Sequence, residues 1–280
     1  MPGFRRNDNY LVAGAIMKVL NRQKHPSEFF YSLNQSQSRL LLLDYDGTLA
    51  PFQVKRHKAF PYRGVAHILE QILEQGATRL VVVSGRRADE IIALLGLKEP
   101  PEIWGSHGGE RRLPDGTYQK EALLTEERRA LEAAATWMAD MGWGHHVERK
   151  PFGLALHWRD MTMQEKKNMQ DKALEQVPVF VAGTGLCLEA FDGGLELRPS
   201  GITKGGVVET ILAEMQTDTV AAYLGDDLTD EDAFFALKRH SPQSIGVLVR
   251  EELRETKADL WLRPPDELLD FLGRWQEAAL

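Results

Sequence analysis

Three apolar runs are continuous rather than alternating: RLLLLDYDG from Arg39, TRLVVVSGR from Thr78 and VAAYLGDDLTD from Val220. Each stops at a cluster of Gly, Ser or Asp. Runs of this kind are the pattern of strands buried on both faces, as in a parallel sheet. A fourth run, LELRPSGITKGG from Leu195, ends in the same way. Stretches with apolar residues three and four apart follow the runs: RGVAHILEQILEQG, RADEIIALLG, KGGVVETILAEM and DEDAFFALKRH. These predict helices. Strand and helix in alternation predict an α/β fold, a parallel sheet with helices on both faces. Ligands bind such sheets beyond the carboxyl ends of the strands, where all four polar clusters are expected to lie.

One spacing breaks the rhythm. Lys204 lies 120 residues after Ser84, far more than a simple crossover needs. GERRLPDGTYQKEALL predicts a hairpin turning at Pro114-Asp115-Gly116. TEERRALEAAATWMADMG predicts a helix capped by Thr125, with Arg128 in its second turn. HHVERKPFGLALHWRD alternates as strands do, TMQEKKNMQDKALEQV reads as a helix, and VFVAGTGLCLEAFDGGLELRP as further strand. A small α+β unit is therefore expected inside the larger fold, from about Gly109 to about Asp192. The domains read as 38–109 with 192–280 for the larger one and 110–191 for the insert. Residues 1–37 read as a helical extension or an oligomerisation surface, with an amphipathic helix ending near His25-Pro26.

Composition narrows the choices. The 280 residues suffice for one large domain or two modest ones. A hydrophobic fraction of 43% and a charged fraction of 27% are those of a soluble globular chain. The net charge of -7 argues against nucleic acid or an anionic membrane surface as partner. It still allows a small anionic substrate held by a local cation. No apolar run reaches the length of a membrane span. FRRNDNYLVAGAIMKVL is a poor signal peptide: its apolar part is short, holds Lys18 and lacks a small-residue cleavage pattern. With Cys187 as its one cysteine the chain forms no internal disulfide, so a reducing, cytoplasmic compartment is expected.

The polar clusters carry the chemistry. Asp44 and Asp46 end the first run. Alone, DYDGT also suits a strand closing in an Asx-turn. As chemistry, an aspartate attacks phosphorus and splits one hard displacement into two easier ones. A neighbouring carboxyl gives a proton to the leaving oxygen and later takes one from water. Two acids this close have their pKa values pushed apart, and a cation relieves the remaining repulsion. Mg²⁺ typically takes one or two carboxylates plus substrate phosphate. Asp44 and Asp226 suit that role, with Asp227 and Asp230 holding waters or orienting neighbours. Thr229 and Asp232 have capping-box spacing and are assigned to a helix start. The Ser84 hydroxyl and the N–H of Gly85 suit phosphate oxygens at a helix N-terminus. Lys204 suits neutralisation of phosphoryl charge. Singly, each of these is an ordinary turn or surface residue; their succession after strands makes them a set.

That succession resembles the haloacid dehalogenase superfamily of phosphohydrolases. The resemblance implies a Rossmann-like parallel-sheet core with an α+β type-2 cap inserted between its second and third motifs. It implies Asp44 as nucleophile, Asp46 as general acid/base, and Ser84, Gly85 and Lys204 on phosphate. It also implies Mg²⁺ on Asp44, Asp226 and the main-chain carbonyl of Asp46, with Asp227 and Asp230 beside it. DYDGTLAPF, SGR, GSHGGE, ERKPFGLALHWR, ELRPSGITKG and GDDLTDEDAF are similar to successive blocks of the trehalose-6-phosphate phosphatase family, over most of the chain from Leu40 to Leu237. There the resemblance implies a cap that reads sugar through Glu148, Lys150, Arg159 and Glu196 and closes over it, with His107 near the core–cap junction. Sugar hydroxyls donate and accept, so alternating acids and bases discriminate them. Without the resemblance these are surface charges on exposed strands, and His157 reads equally as a packed histidine or a sugar contact. Trp104, Trp143 and Trp158 are candidates for stacking on sugar, with core packing the favoured reading. Gly109 stands where the family more often has a larger residue, and the first 37 residues have no counterpart. The expected reaction is Mg²⁺-dependent hydrolysis of trehalose 6-phosphate through an aspartyl-phosphate. Two alternatives stay open: a phosphatase for another glycosyl phosphate of compatible-solute synthesis, and a non-catalytic sugar-phosphate sensor.

Overall fold

The computed structural model describes residues 9–12, 15–53, 55–158, 161–191 and 193–280. Strands β1 (Asn9–Val12) and β2 (Ala15–Val19) precede helix α1 (Pro26–Gln35). Then come β3 (Arg39–Leu43), α2 (Val65–Gln75), β4 (Arg79–Val83), α3 (Ala88–Leu95), β5 (Glu102–Gly105), β6 (Glu110–Arg112) and β7 (Tyr118–Lys120). They are followed by α4 (Thr125–Asp140), β8 (Val147–Lys150), β9 (Gly153–His157), α5 (Met163–Val181), β10 (Leu186–Phe191) and β11 (Gly194–Pro199). The chain ends with α6 (Lys204–Ala213), β12 (Val220–Gly225), α7 (Glu231–His240), β13 (Ile245–Val249), β14 (Leu260–Leu262) and α8 (Asp266–Ala278). No helix among the described residues is long and apolar enough to cross a membrane.

Two compact units result, Met1–Tyr118 with Lys204–Leu280, and Gln119–Thr203. The first carries a sheet ordered β1-β2-β14-β13-β12-β3-β4-β5-β6-β7. Its middle, from β14 to β5, is parallel. The leucines of β3 show why it forms. Leu41 and Leu43 join one buried cluster with α1, α2, α3 and α8, while Leu40 and Leu42 join another with α6 and α7. A strand clothed on both faces has no polar side to show, hence the unbroken run. From β3 the chain winds outward through β4 and β5, and later in the other direction from β12 through β13 to β14. The strand order therefore reverses between β3 and β12, and such a switch point opens a crevice at the strand ends.

The second unit has an antiparallel sheet ordered β10-β11-β9-β8. Leu154, Leu156, Leu195 and Leu197 face α4 and α5 in its core, together with buried Trp158. In register, Glu148 and Glu196 both stand opposite Ala155. They share the sheet face turned away from those leucines, along with Lys150 and His157.

The structure corrects several expectations. Residues 9–12 and 15–19 are strands, so the extension is not simply helical. Backbone pairing of β2 with β14 outweighs local propensity, which is a weak force. Met17 is buried, and Lys18 lies over the Trp261 ring on the other side. His25-Pro26 starts a helix rather than ending one, because proline is tolerated at the first helical position. Residues 110–118 stay with the large unit because β6 pairs with β5. Residues 193–203 fall in the small unit because β11 pairs with β10 and β9. Thr125 is the first residue of α4 and not its cap; the Glu127 carboxylate accepts from Leu124 N at 2.8 Å.

Residues 26–35 are part of the core. Phe29 and Phe30 of α1 meet Phe271 of α8 at ring-centroid distances of 6.3 and 5.3 Å, and Phe29 meets Trp275 at 6.0 Å. Phe29→Ala is expected to lower the unfolding free energy by roughly 3–5 kcal/mol, read from the urea midpoint. A loss under about 1 kcal/mol would show that α1 contributes little to the core.

Candidate active site

Asp44 directly follows β3, and its N–H donates to Leu224 O of neighbouring β12 at 2.8 Å. Asp44 therefore sits at the switch point, 3% exposed. The Lys204 ammonium donates to Asp44 Oδ1 at 2.6 Å and to Asp230 Oδ1 at 2.7 Å. The Thr48 hydroxyl donates to Asp44 Oδ2 at 3.1 Å. Lys204 is the first residue of α6. Its preceding strand, β11, belongs to the small sheet, so Lys204 is brought in by a helix and not by a fourth strand of the large one, as the sequence suggested.

Asp230 accepts from four donors. Oδ1 takes Lys204 Nζ and the Tyr223 hydroxyl, the latter at 2.6 Å; Oδ2 takes Asp226 N at 3.0 Å and Asp227 N at 2.9 Å. An ionised carboxylate has about four lone-pair sites, and here all are used. Asp44, Asp226 and Asp230 bring carboxylate oxygens within 4.8 Å of one another, but Asp230 is already saturated. Asp226 is its opposite. It is 2% exposed, and both its carboxylate oxygens are buried without a hydrogen bond. An orphaned carboxylate facing Asp44 is the donor set a hard cation takes. The backbone is tailored to this proximity. Gly47 has φ 86°, and a Cβ there would stand 2.2 Å from Asp226 Oδ2.

Burial governs the titration of the cluster. It pushes the Asp44 carboxyl up to about 7, with Lys204 opposing and Asp230 adding to the rise. Burial and then the Asp44 charge push Asp226 well above the carboxylate range. Burial disfavours the Lys204 charge, but Asp230 and Asp44 outweigh it and hold its pKa above the ordinary lysine value.

Asp46 lies further out. Arg86 grips both its oxygens, Nε on Oδ2 at 2.6 Å and Nη2 on Oδ1 at 2.7 Å. Arg86 also donates Nη1 to Arg56 O at 3.0 Å. Ser84 is buried and its Oγ accepts from Arg86 N at 3.2 Å, leaving its own hydroxyl hydrogen to donate. A Cβ on Gly85 would meet His107 Nε2 at 2.5 Å, so the imidazole lies directly against that glycine. Asp227 Oδ1 accepts from Leu228 N, and Asp227 with Asp230 forms the capping box that had been assigned to Thr229 and Asp232. Sequence reasoning missed Arg86, Tyr223, Thr48 and the Arg254 guanidinium, which donates to Asp226 O at 3.2 Å and Asp227 O at 2.7 Å. Arg86 and Thr48 were visible in the SGR and DYDGT blocks; Tyr223 and Arg254 carry no local signal of their roles.

The structure brings Asp44, Lys204, Asp226 and Asp230 together, with Asp46 and Ser84 linked through Arg86. In the second unit Lys150 pairs with Glu196 at 2.5 Å, and His157 Nε2 lies 2.9 Å from Glu148 Oε2. Arg159 lies outside the described residues.

This fold, with carboxylates at the switch point, is that of the haloacid dehalogenase-like proteins. A solved structure of a haloacid dehalogenase-like hydrolase from B. subtilis superposes with TM-score 0.61 at 14% identity, covering 84% of this chain and 98% of the other. The model of the trehalose-phosphatase family matches residues 42–264, and the chain belongs to that family. A trehalose-phosphate phosphatase of Mycobacterium ulcerans is 32% identical over 247 residues, 84% of this chain. The chain spans 60% of the length of that relative. The C-terminal domain of trehalose-6-phosphate phosphatase from C. albicans gives a TM-score of 0.79 at 22% identity, covering 95% of this chain and 99% of the other.

The buried acids make stability depend on pH. Asp44, raised from 3.8 to about 7, keeps its proton in the folded state at pH values where the unfolded chain has lost it. Unfolding then releases a proton across that window, so the cation-free protein loses stability as pH rises through it. The melting temperature in chelator is expected to fall between about pH 5 and about pH 7.5, and an added divalent cation is expected to flatten the slope. A chelated protein equally stable at both values would contradict the burial argument.

Proposed function

We propose that this protein is a divalent-cation-dependent phosphatase hydrolysing trehalose 6-phosphate to trehalose and phosphate, with Asp44 as nucleophile. One observation carries the reading: Asp44, gripped by Lys204, faces an Asp226 carboxylate without a donor at the switch point of the sheet. The family and the relative named for this reaction support the substrate. The lone Cys187 suits a reducing, cytoplasmic setting.

Mg²⁺ suits the oxygen donors of Asp44, Asp226 and the Asp46 carbonyl and, when bound, supplies positive charge to the phosphoryl oxygens. The rest falls to the chain. Lys204 and Thr48 aim the Asp44 carboxylate, one on each oxygen. An Asp44 oxygen forms a bond to phosphorus as the bond from phosphorus to the sugar oxygen breaks, leaving an aspartyl-phosphate. Asp46 gives the departing sugar oxygen its proton, then takes one from the water that opens the aspartyl-phosphate. The Ser84 hydroxyl and the Gly85 N–H hold phosphoryl oxygens, and the Lys204 charge favours the crowded transition state. Asp230 and Tyr223 keep Lys204 in place, and Asp227 keeps the turn that aims Asp226. Glu148, Lys150 and Glu196, on one face of the small sheet, read sugar hydroxyls together with Arg159.

Phosphate release is measured on trehalose 6-phosphate, sucrose phosphate and glucose 6-phosphate, with Mg²⁺ and with chelator. Trehalose 6-phosphate is expected to lead by at least about tenfold in kcat/KM, and chelator to stop turnover. Comparable rates across the panel would remove the substrate assignment. Asp44→Asn is expected to abolish turnover without unfolding the protein; retained turnover would remove the nucleophile assignment.

A further inference from the structure

The turn after β5 is held in an unfavourable shape. Ser106 and His107 have φ of 51° and 60°. That region costs a non-glycine residue roughly 1–2 kcal/mol and persists only where the surroundings enforce it. Two backbone bonds tie the turn to the loop after β4, Ser106 N to Arg86 O at 2.7 Å and His107 N to Ser84 O at 2.9 Å. A third tie is a side chain. Glu110, the first residue of β6, is 3% exposed. Its Oε2 accepts from Ala88 N at 3.0 Å, and its Oε1 accepts from the Ser106 hydroxyl at 3.4 Å.

Ala88 N belongs to the first turn of α3, whose amides have no partner within the helix. The residue in the cap position is Arg87, which makes no side-chain cap bond. Glu110 supplies the missing acceptor from 22 residues away, and its carboxylate sits at the positive end of the helix. Ser84, Gly85 and Arg86 lie between these ties. The loop is held at its start by His107 N, in its middle by Ser106 N and at its far end through Ala88. Arg86 in turn holds both oxygens of Asp46. The chain of contact runs from Glu110 to the Ser84–Arg86 loop and on to Asp46.

We propose that Glu110 is a positioning residue of the phosphatase site. By capping α3 and holding the Ser106–His107 turn, it fixes the Ser84–Arg86 loop and, through Arg86, the direction of Asp46. This rests on the reading of Ser84 and Asp46 as working groups in phosphate hydrolysis. A misplacement near 1 Å costs on the order of 10²-fold in rate, which is the leverage a distant clamp has.

The test compares the 280-residue wild type, Glu110→Gln, Glu110→Ala, Arg86→Ala and the Glu110→Ala/Arg86→Ala double variant on trehalose 6-phosphate with Mg²⁺. Glu110→Ala is expected to lose about 10- to 100-fold in kcat/KM, mostly in kcat. Glu110→Gln keeps an acceptor for Ala88 N and is expected to recover to within about threefold of wild type. The combined loss is expected to fall short of the product of the single losses by more than about threefold, since both variants break the same line of contact from Glu110 to Asp46. Glu110→Ala within about twofold of wild type, or losses that multiply to within about threefold, would overturn the proposal. If circular dichroism shows Glu110→Ala unfolded, Glu110→Asp, charged but too short to reach, replaces it under the same criteria. A wild type that turns over no sugar phosphate would overturn the underlying reading and this proposal together. An active wild type with an indifferent Glu110→Ala overturns this proposal alone.

Discussion

The ion pair that Lys204 makes with Asp44 and Asp230 is the constraint on which the site depends. Its members are almost wholly buried, and an unpaired charge there would cost several kcal/mol. Three carboxylates, Asp44, Asp226 and Asp230, stand against one ammonium. Asp230 is settled by its four donors and Asp44 by Lys204 and Thr48. The uncompensated charge therefore falls on Asp226, the group with no donor. In our reading a divalent cation removes that deficit; without one the deficit is met by protons, which is why burial lifts the Asp44 and Asp226 pKa values. Saturating Asp230 also divides labour among acids that look alike in sequence. It anchors, while Asp226 is left without a donor.

The rest of the large unit presents that cluster. Parallel strands buried on both faces are rigid, and their ends are fixed relative to one another by the ladder. Asp44 N bonded to Leu224 O continues the pairing of β3 with β12 past the end of β3, so Asp44 and Asp226, which follow these two strands, are held at a fixed separation. The small unit uses period-two alternation for a different end. Its leucines turn to α4 and α5, and the opposite face collects Glu148, Lys150, His157 and Glu196. A one-residue slip of β8 or β11 would send these polar groups into the apolar core, so the same hydrophobic term that folds the unit also fixes the register of its polar face.

Much of this was legible in the sequence because it is local. RLLLLDYDG, TRLVVVSGR and VAAYLGDD announce buried strands and their carboxyl-end chemistry within a few residues each. What was not legible depends on partners far along the chain. LELRP has the apolar content of a core strand, yet pairing with β9 and β10 puts it in the small sheet. AIMKV lies in a stretch that reads as helix and becomes a strand paired between β1 and β14. Asp227/Asp230 and Thr229/Asp232 have the same spacing, and only the tight turn over Leu228–Asp230 decides between them. Nothing local at Glu110, Tyr223 or Arg254 marks the helix end, the carboxylate or the carbonyls they serve.

The contact between Arg86 and Asp46 carries the remaining tension. Both Asp46 oxygens are occupied by the guanidinium, whereas the proton transfer we propose for Asp46 needs one of them within hydrogen-bond reach of the sugar oxygen or of water. A substrate must therefore exchange one of these bonds. Arg86 is equipped for that, because Nη1 on Arg56 O and the Tyr45 ring 5.9 Å from its guanidinium carbon hold the arginine while one bond to Asp46 is given up. The exchange costs little if the loop beneath Arg86 stays fixed, since only a side-chain torsion of Asp46 changes. It costs far more if the loop moves as well, because in the proposed mechanism Ser84 would then leave the phosphoryl group at the moment Asp46 approaches it. Firm backbone under a yielding ion pair is the arrangement the proposed mechanism requires, in which one carboxylate first gives a proton and then takes one while the phosphate grip is kept between the two steps.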